Sequence, residues 1–249
     1  MKEERYFYTP QPERGELPQE EAKHALRVLR MGIGDEIKLM DGKGAYYRAV
    51  ITAATGHRCL YAINEQLLQE RAWNGRIHLA MAPTKLNDRT EWFAEKATEI
   101  GFDRLSFIDC QYSERRNIKN ERIDKILIAA MKQSHKAWKP ELDEMMPFRK
   151  FVEEVQGVAQ KFICHCYEEE DIQQGTAAQQ PVSKPHLKDV LKEGDALVLI
   201  GPEGDFSVEE VRLAERLGFR SVSLGKSRLR TETAALVAVH LMHLANEVG

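Results

Sequence analysis

ALVLIGPEGDFSVEEVRLAERLGFRSVSLGKSRLRTETAA, residues Ala196–Ala235, is the stretch whose reading decides the fold. It opens on five apolar residues, Ala196 to Ile200, a length and composition that suit a strand buried on both faces of a parallel sheet. The run stops at Gly201-Pro202-Glu203-Gly204. Two glycines and a proline predict a tight turn whose backbone N–H groups can face a ligand with no Cβ in the way. Ser207 and Glu210 have the spacing of a capping box, and the helix they start is expected to end at Gly218. Arg220 to Leu224 reads as a second short strand. It runs into another glycine loop, Gly225 to Arg230, and then into a helix from Thr231 that is apolar almost all round between Ala234 and Leu244 and so should be buried.

The pattern of strand, glycine loop and helix thus occurs twice in close succession, which puts two loops side by side at the carboxyl end of a sheet, where α/β proteins bind ligands. Two structural turns are the plain alternative. Against it, the second loop carries Lys226, Arg228 and Arg230, where folding alone would be served by neutral residues. No Gly-x-Gly-x-x-Gly follows an expected strand, so this is not the dinucleotide fingerprint.

Length and composition bound the rest. A chain of 249 residues holds one large or two ordinary domains. Its 43% hydrophobic and 30% charged residues are those of a globular protein. No apolar run approaches the roughly 18 residues that span a bilayer, and the start MKEERYFY lacks a signal core, so a cytoplasmic location without membrane association is expected. Cys59, Cys110, Cys164 and Cys166 show no framework spacing, and Cys164-His165-Cys166 lacks the second ligand pair a zinc site needs; reduced structural thiols and no metal are expected. A net charge of −3 argues against an indiscriminate nucleic-acid binder, so any RNA contact must come from local basic patches.

Residues 1–72 read as a small β-barrel or meander domain. A helical stretch from Glu20 to Arg30 precedes three apolar-rich segments, Glu36 to Met40, Tyr46 to Ala53 and His57 to Ile63, separated by the hairpin signals Asp41-Gly42-Lys43-Gly44 and Thr55-Gly56. Helical spacing brings His24, Arg27 and Arg30 near one another, the alternative being a solvated helix face. Leu67 to Gly75 is the expected linker, and residues 73–249 form the second domain. There Ile77 to Ala82, Leu105 to Asp109 and Lys161 to Tyr167 are strands. Helices follow at Arg89 to Ile100, with Asp88 and Glu91 as a second capping box, and from Glu121. Strands alternating with helices at this spacing indicate a parallel sheet. Glu168 to Asp171 and the Gln/Ala-rich run to Gln180 read as a mobile surface loop; Lys184 to Lys192 is helical.

Gly201-Pro202-Glu203-Gly204-x-Phe206-Ser207 followed by Leu224-Gly225-x-x-x-Leu229-Arg230-x-Glu232-Thr233-Ala234 resembles the signature of the ribosomal RNA small-subunit methyltransferase E family. Asp205 departs from it, since the family usually has a third glycine there. Lys85, Glu91-Trp92, Lys96, Glu99-x-Gly101 and Gln133-Ser134 sit as they do in that family, while relatives often have Gly-Arg where this chain has His135-Lys136. His24-x-x-x-Val28-Leu29-Arg30 and an N-terminal Arg5 before an aromatic pair are also similar.

The resemblance implies a C-terminal SPOUT-type α/β domain with a trefoil knot, which topology statistics alone would argue against, and an N-terminal PUA-like RNA-binding domain. It implies S-adenosylmethionine as cofactor, a homodimer, and methylation of nitrogen 3 of uridine 1498 in 16S ribosomal RNA of the small ribosomal subunit. Placement at three strand ends assigns Cys166, Leu199, Ile200, Gly201, Pro202, Gly204, Leu224, Gly225 and Leu229 to the cofactor. Arg230 is the candidate for stabilising charge on the base as its proton leaves, the alternative being a salt bridge to Glu232 or to a helix-terminal acid. No residue stands out as the general base: Glu203 and Glu232 are candidates, departure of the proton to water is the alternative, and Glu232 equally suits the negative charge favoured at a helix start. Arg5, His24, Arg27, Arg30, Lys85 and Arg115 are the candidate RNA contacts. A ribose 2′-O-methyltransferase of the same class and a non-catalytic RNA-binding protein are the rival readings.

Overall fold

The computed structural model describes residues 5–167 and 184–248, so the acidic run from Glu168 and the Gln/Ala-rich stretch expected as a mobile loop lie outside the described residues. The chain divides into two compact units, Met1–Arg71 with Leu127–Lys139, and Ala72–Ile126 with Pro140–Gly249.

In the first unit, β1 (Tyr6–Tyr8), β2 (Glu36–Met40), β3 (Ala45–Thr55) and β4 (Arg58–Leu68) form a sheet in that order. β1 and β2 are parallel, the other pairs antiparallel. Burial alternates along the first half of β3, so one face lays Tyr47, Ala49 and Ile51 against Phe7, Ile37 and Leu39. The sheet begins to curl shut where Leu17 N–H donates to Cys59 O and Tyr61 N–H to Gly15 O. The expected hairpin signal acts through a side chain: Asp41 accepts N–H groups from Lys43 (2.7 Å) and Ala45 (3.1 Å). A return of the chain joins this turn, with Gly44 N–H on Ala137 O and Lys139 N–H on Gly42 O. The helix expected over Glu20 to Arg30 is shorter and changes pitch. It is α-helical over Gln19–Lys23 and a wider π turn over His24–Val28, and Arg30 then takes a left-handed φ of 55°.

The second unit is built on a parallel sheet ordered β11-β9-β10-β5-β6-β7, with β8 also on β6. Its strands are β5 (Ile77–Met81), β6 (Arg104–Asp109), β7 (Glu141–Leu142), β8 (Met146–Pro147), β9 (Gln160–Cys164), β10 (Ala196–Ile200) and β11 (Arg220–Val222). All five residues of β5 and of β10 are buried, which is why β10 reads as an unbroken apolar run and β5 as an apolar run interrupted only by His78, rather than as alternations. Helices Asn87–Ile100, Phe148–Glu154, Leu187–Val190 and Val208–Arg216 and a C-terminal helix, Thr231–Asn246, connect and cover the sheet. The first half of the Asn120–Gln133 helix also belongs to this unit.

Three expectations change here. The Asn87–Ile100 helix has no side-chain cap; Glu91 instead receives the guanidinium of Arg122. The linker is not slack along its length, because β4 runs to Leu68 and Trp73 is buried with its indole N–H on Asp103 (3.0 Å). The C-terminal helix buries one face, including Ala235, Ala238, Val239 and Met242, and leaves Leu236, Val237 and Leu241 half-buried and Leu244 exposed. Among the described residues no helix is long and apolar enough to cross a membrane.

Candidate active site

The parallel sheet aims the loops after β5, β6, β9, β10 and β11 to one edge, and specific contacts stitch them together. Glu203, in the turn after β10, accepts the N–H of Lys85, after β5, at 2.9 Å. Gly204 lies against the loop after β6, where an added Cβ would stand 3.0 Å from Tyr112 Cβ. At Gly201 an added Cβ would stand 3.1 Å from the Phe206 ring, so the turn cannot widen its own side chain there without shifting. Asp205 has a left-handed φ of 66°. Its carboxylate accepts Cys166 N–H (2.7 Å) and Phe206 N–H (2.8 Å), which joins the loops after β9 and β10.

The expected capping box is present in both directions, with Glu210 N–H on Ser207 Oγ (3.2 Å) and Ser207 N–H on Glu210 Oε2 (2.8 Å). The other carboxylate oxygen of Glu210 takes Gln111 N–H (2.9 Å), so the cap also ties down the loop after β6. Beside β11, Leu187 N–H donates to Ser223 O and Ser223 N–H to Pro185 O, which lays Pro185–Leu187 along the sheet edge. Gly225 has a φ of 118°, a conformation that favours glycine. The N–H groups of Lys226, Ser227, Arg228 and Leu229 have no partner within the protein among the described residues. Uncommitted backbone donors next to half-buried Leu224 and Leu229 are what a nucleoside with polar base edges and an apolar ring face requires.

Beneath this edge a one-way chain of donors fixes the loop after β9. The Lys184 ammonium reaches His165 Nδ1 (3.3 Å), His165 Nε2 lies 2.9 Å from Ser221 Oγ, and Ser221 donates to Glu215 (2.6 Å). Burial, then the Lys184 charge, pushes the His165 pKa down to about 3, so the ring is neutral. Burial, with Asp205 beside it, pushes the Cys166 thiol up, which suits a wall rather than a nucleophile.

Of the catalytic candidates, Arg230 occupies the N-cap position of the C-terminal helix, exposed and without a side-chain partner among the described residues. Glu232 is 8% exposed and pairs with Arg89 at 3.2 Å, not with Arg230. Arg89 carried no sequence signal, because its partner lies far along the chain. Cys166, Leu199, Ile200, Gly201, Pro202, Gly204, Leu224 and Gly225 fall at the ends of β9, β10 and β11 or in the loops just after them, and Leu229 lies at the far end of the loop after β11, next to the start of the C-terminal helix.

The basic candidates separate. Arg115 donates to Lys85 O at 2.7 Å, and Lys85 Nζ pairs with Glu114 at 2.6 Å. In the first unit the π turn and the left-handed Arg30 break the shared face that helical spacing predicts. His24 packs its ring 6.0 Å from Phe7, and Arg27 reaches His57 at 3.1 Å. Arg5 and Arg30 are exposed with no partner among the described residues. No cluster of three metal-ligating side chains occurs among the described residues.

Residues 71–243 match the RNA methyltransferase domain family and residues 17–61 the RNA methyltransferase PUA domain. A crystal structure from Porphyromonas gingivalis described as a probable rRNA-methyltransferase is 42% identical, superposes with a TM-score of 0.85, and the alignment covers 97% of this chain and 98% of that one. A ribosomal RNA small subunit methyltransferase E from Neisseria gonorrhoeae bound to S-adenosyl methionine is 26% identical with a TM-score of 0.77, over 97% and 98% of the two chains. The Bacillus subtilis protein named ribosomal RNA small subunit methyltransferase E is 26% identical over 238 residues, 92% of this chain and 89% of that protein.

Proposed function

The chain belongs to the family of RNA methyltransferases that includes the ribosomal RNA small subunit methyltransferase E proteins, and on that footing we propose that it methylates nitrogen 3 of uridine 1498 in 16S ribosomal RNA, using S-adenosylmethionine. The observation that carries this reading is the meeting of the loops after β9, β10 and β11, where the amides of residues 226–229 and the side chain of Arg230 have no partner among the described residues. S-adenosylmethionine supplies an electrophilic methyl group on its sulfonium. The protein's part is to hold that group in line with the base nitrogen, exclude water and stabilise charge.

Leu199 to Gly201, Leu224, Gly225 and Leu229 form the cofactor wall, with Cys166 at its edge. Ring nitrogen 3 of uridine carries a proton and takes part in pairing, so the base must be unpaired or flipped out. As the proton leaves, negative charge spreads onto the ring carbonyls, and Arg230 is the cation placed to meet it. Glu232 braces the helix start through Arg89. The first unit grips the RNA backbone through Arg5, Arg27 and Arg30, with His24 supporting the π turn; Lys85 and Arg115 serve the second unit's side.

The same reading carries a cytoplasmic homodimer whose partner covers the apolar outer side of the C-terminal helix, and a trefoil knot. For the knot, support lies in the chain's back-crossing: from β10 outward past β9 to β11, then back by the C-terminal helix onto β5 and β10.

Incubation with S-adenosylmethionine and small ribosomal subunits lacking the modification, followed by nucleoside analysis, should yield 3-methyluridine. A 2′-O-methylated nucleoside would point to the ribose-directed rival. A protein that binds RNA but gives no heat with S-adenosylmethionine would be a binding module.

A further inference from the structure

The backbone of residues 165–167 is held from both sides by opposite charges. The Asp205 carboxylate accepts the N–H of Cys166 at 2.7 Å. The Lys184 ammonium donates to the carbonyl of His165 at 2.7 Å and to that of Tyr167. Cys166 is exposed, so water could serve its N–H equally well. The bond therefore adds order, not the satisfaction of a buried group. Holding a non-glycine residue at a φ of 66° costs stability, and what Asp205 returns for that cost is its pair of charge-assisted bonds, to Cys166 and to Phe206 (2.8 Å).

We propose that Asp205 and Lys184 are positioning residues that clamp the loop after β9 and preorganise the cofactor wall at Cys166. The clamp rests on the reading of the site given above. A preorganised wall lowers the ordering cost of binding, so its loss falls on cofactor affinity; RNA affinity and the chemical step are left alone.

The test compares Asp205→Gly, Asp205→Asn and Lys184→Met with the unaltered protein. Glycine accepts the positive φ without strain, so Asp205→Gly removes the carboxylate while keeping the turn, and its Tm should stay close to that of the parent. Calorimetric titration should show S-adenosylmethionine binding about tenfold weaker in Asp205→Gly and in Lys184→Met, the scale of a lost charged hydrogen bond. The RNA KM and kcat at saturating cofactor should move less than about twofold. Asp205→Asn keeps one acceptor oxygen and should fall between. An Asp205→Gly protein that binds the cofactor as the parent does overturns the clamp alone. So does one whose RNA KM rises as much as its cofactor Kd. Parent protein that binds no S-adenosylmethionine overturns the clamp together with the reading of the site.

Discussion

Arg230 and Arg30 are both exposed cations without partners among the described residues, and their chemistry should separate cleanly. Arg230→Ala removes the charge-stabilising donor at the loop edge and should lower kcat by about a hundredfold or more, with RNA binding nearly intact. Arg30→Ala or Arg27→Ala should raise the RNA KM and flatten its salt dependence, with turnover at saturation preserved. Single-turnover rates and filter binding over a range of salt decide the matter. Equal effects of both classes on both parameters would end the division of roles. The two places where the chain departs from the family pattern share one backbone explanation. Asp205 has a φ of 66° and His135 a φ of 52°, both in the left-handed region that glycine adopts without strain. Asp and His are among the side chains that tolerate it. The departures were visible in the sequence; the conformation that links them, and the Cys166 contact of Asp205, were not.

At the level of elements, the Val208–Arg216 helix starts as its sequence says it should, because a capping box is made within four residues and needs nothing from the rest of the fold. Ser207 is fully buried, so Ser207→Ala should cost about 1–2 kcal/mol in chemical denaturation. It should also loosen the loop after β6, which shares Glu210. Asp88 and Glu91 have a similar spacing and make no cap, since the helix begins at Asn87 with Leu86 at the N-cap position, which leaves Asp88 inside the first turn and Glu91 free to take Arg122. Gly75 shows the reverse, a residue whose importance is wholly tertiary. It has a φ of 64°, and an added Cβ would lie 2.5 Å from the backbone carbon of Gly194, just before β10. Gly75→Ala should therefore cost more than about 3 kcal/mol, read as a lowered denaturation midpoint. A loss under about 1 kcal/mol would mean the crossing is looser than drawn.

For the whole molecule, two buried histidines set the acid limb of stability. Burial, then the Arg104 charge, lowers the His78 pKa to about 4, and burial with Lys184 lowers that of His165 to about 3. Both bind a proton more readily unfolded, near pH 6.5, than folded. Their stabilising effect is thus complete above that pH and falls as pH drops through the window down to 4 and 3. At pH 5 the two together should cost on the order of 4 kcal/mol relative to pH 7.5, by the unit conversion of about 1.4 kcal/mol each. Denaturation curves at the two pH values, repeated on His165→Gln, should show a smaller loss in the variant. Assembly is tested at the same scale. Leu236, Val237, Leu241 and Leu244 leave an apolar strip along the C-terminal helix, and sedimentation at micromolar concentration should show a dimer. A monomer there would remove the proposed partner.

By itself the sequence determined the elements that local physics dictates: the apolar strands β5 and β10, the hairpin at Asp41, the cap at Ser207, and the glycine turns that end the strands. Each depends on residues a few positions apart. It also put the candidate cofactor residues near three strand ends, although β9 stops at Cys164 and β11 at Val222, short of the Tyr167 and Leu224 that composition predicts. Only the tertiary structure decided that β10 lies between β9 and β5, that Leu127–Lys139 returns to the first unit, and that Arg89 takes Glu232. The same holds for Asp205 and Lys184 closing on one loop. Those pairings join residues far apart along the chain, where no periodicity or propensity reaches and only packing and charge in three dimensions select the partner.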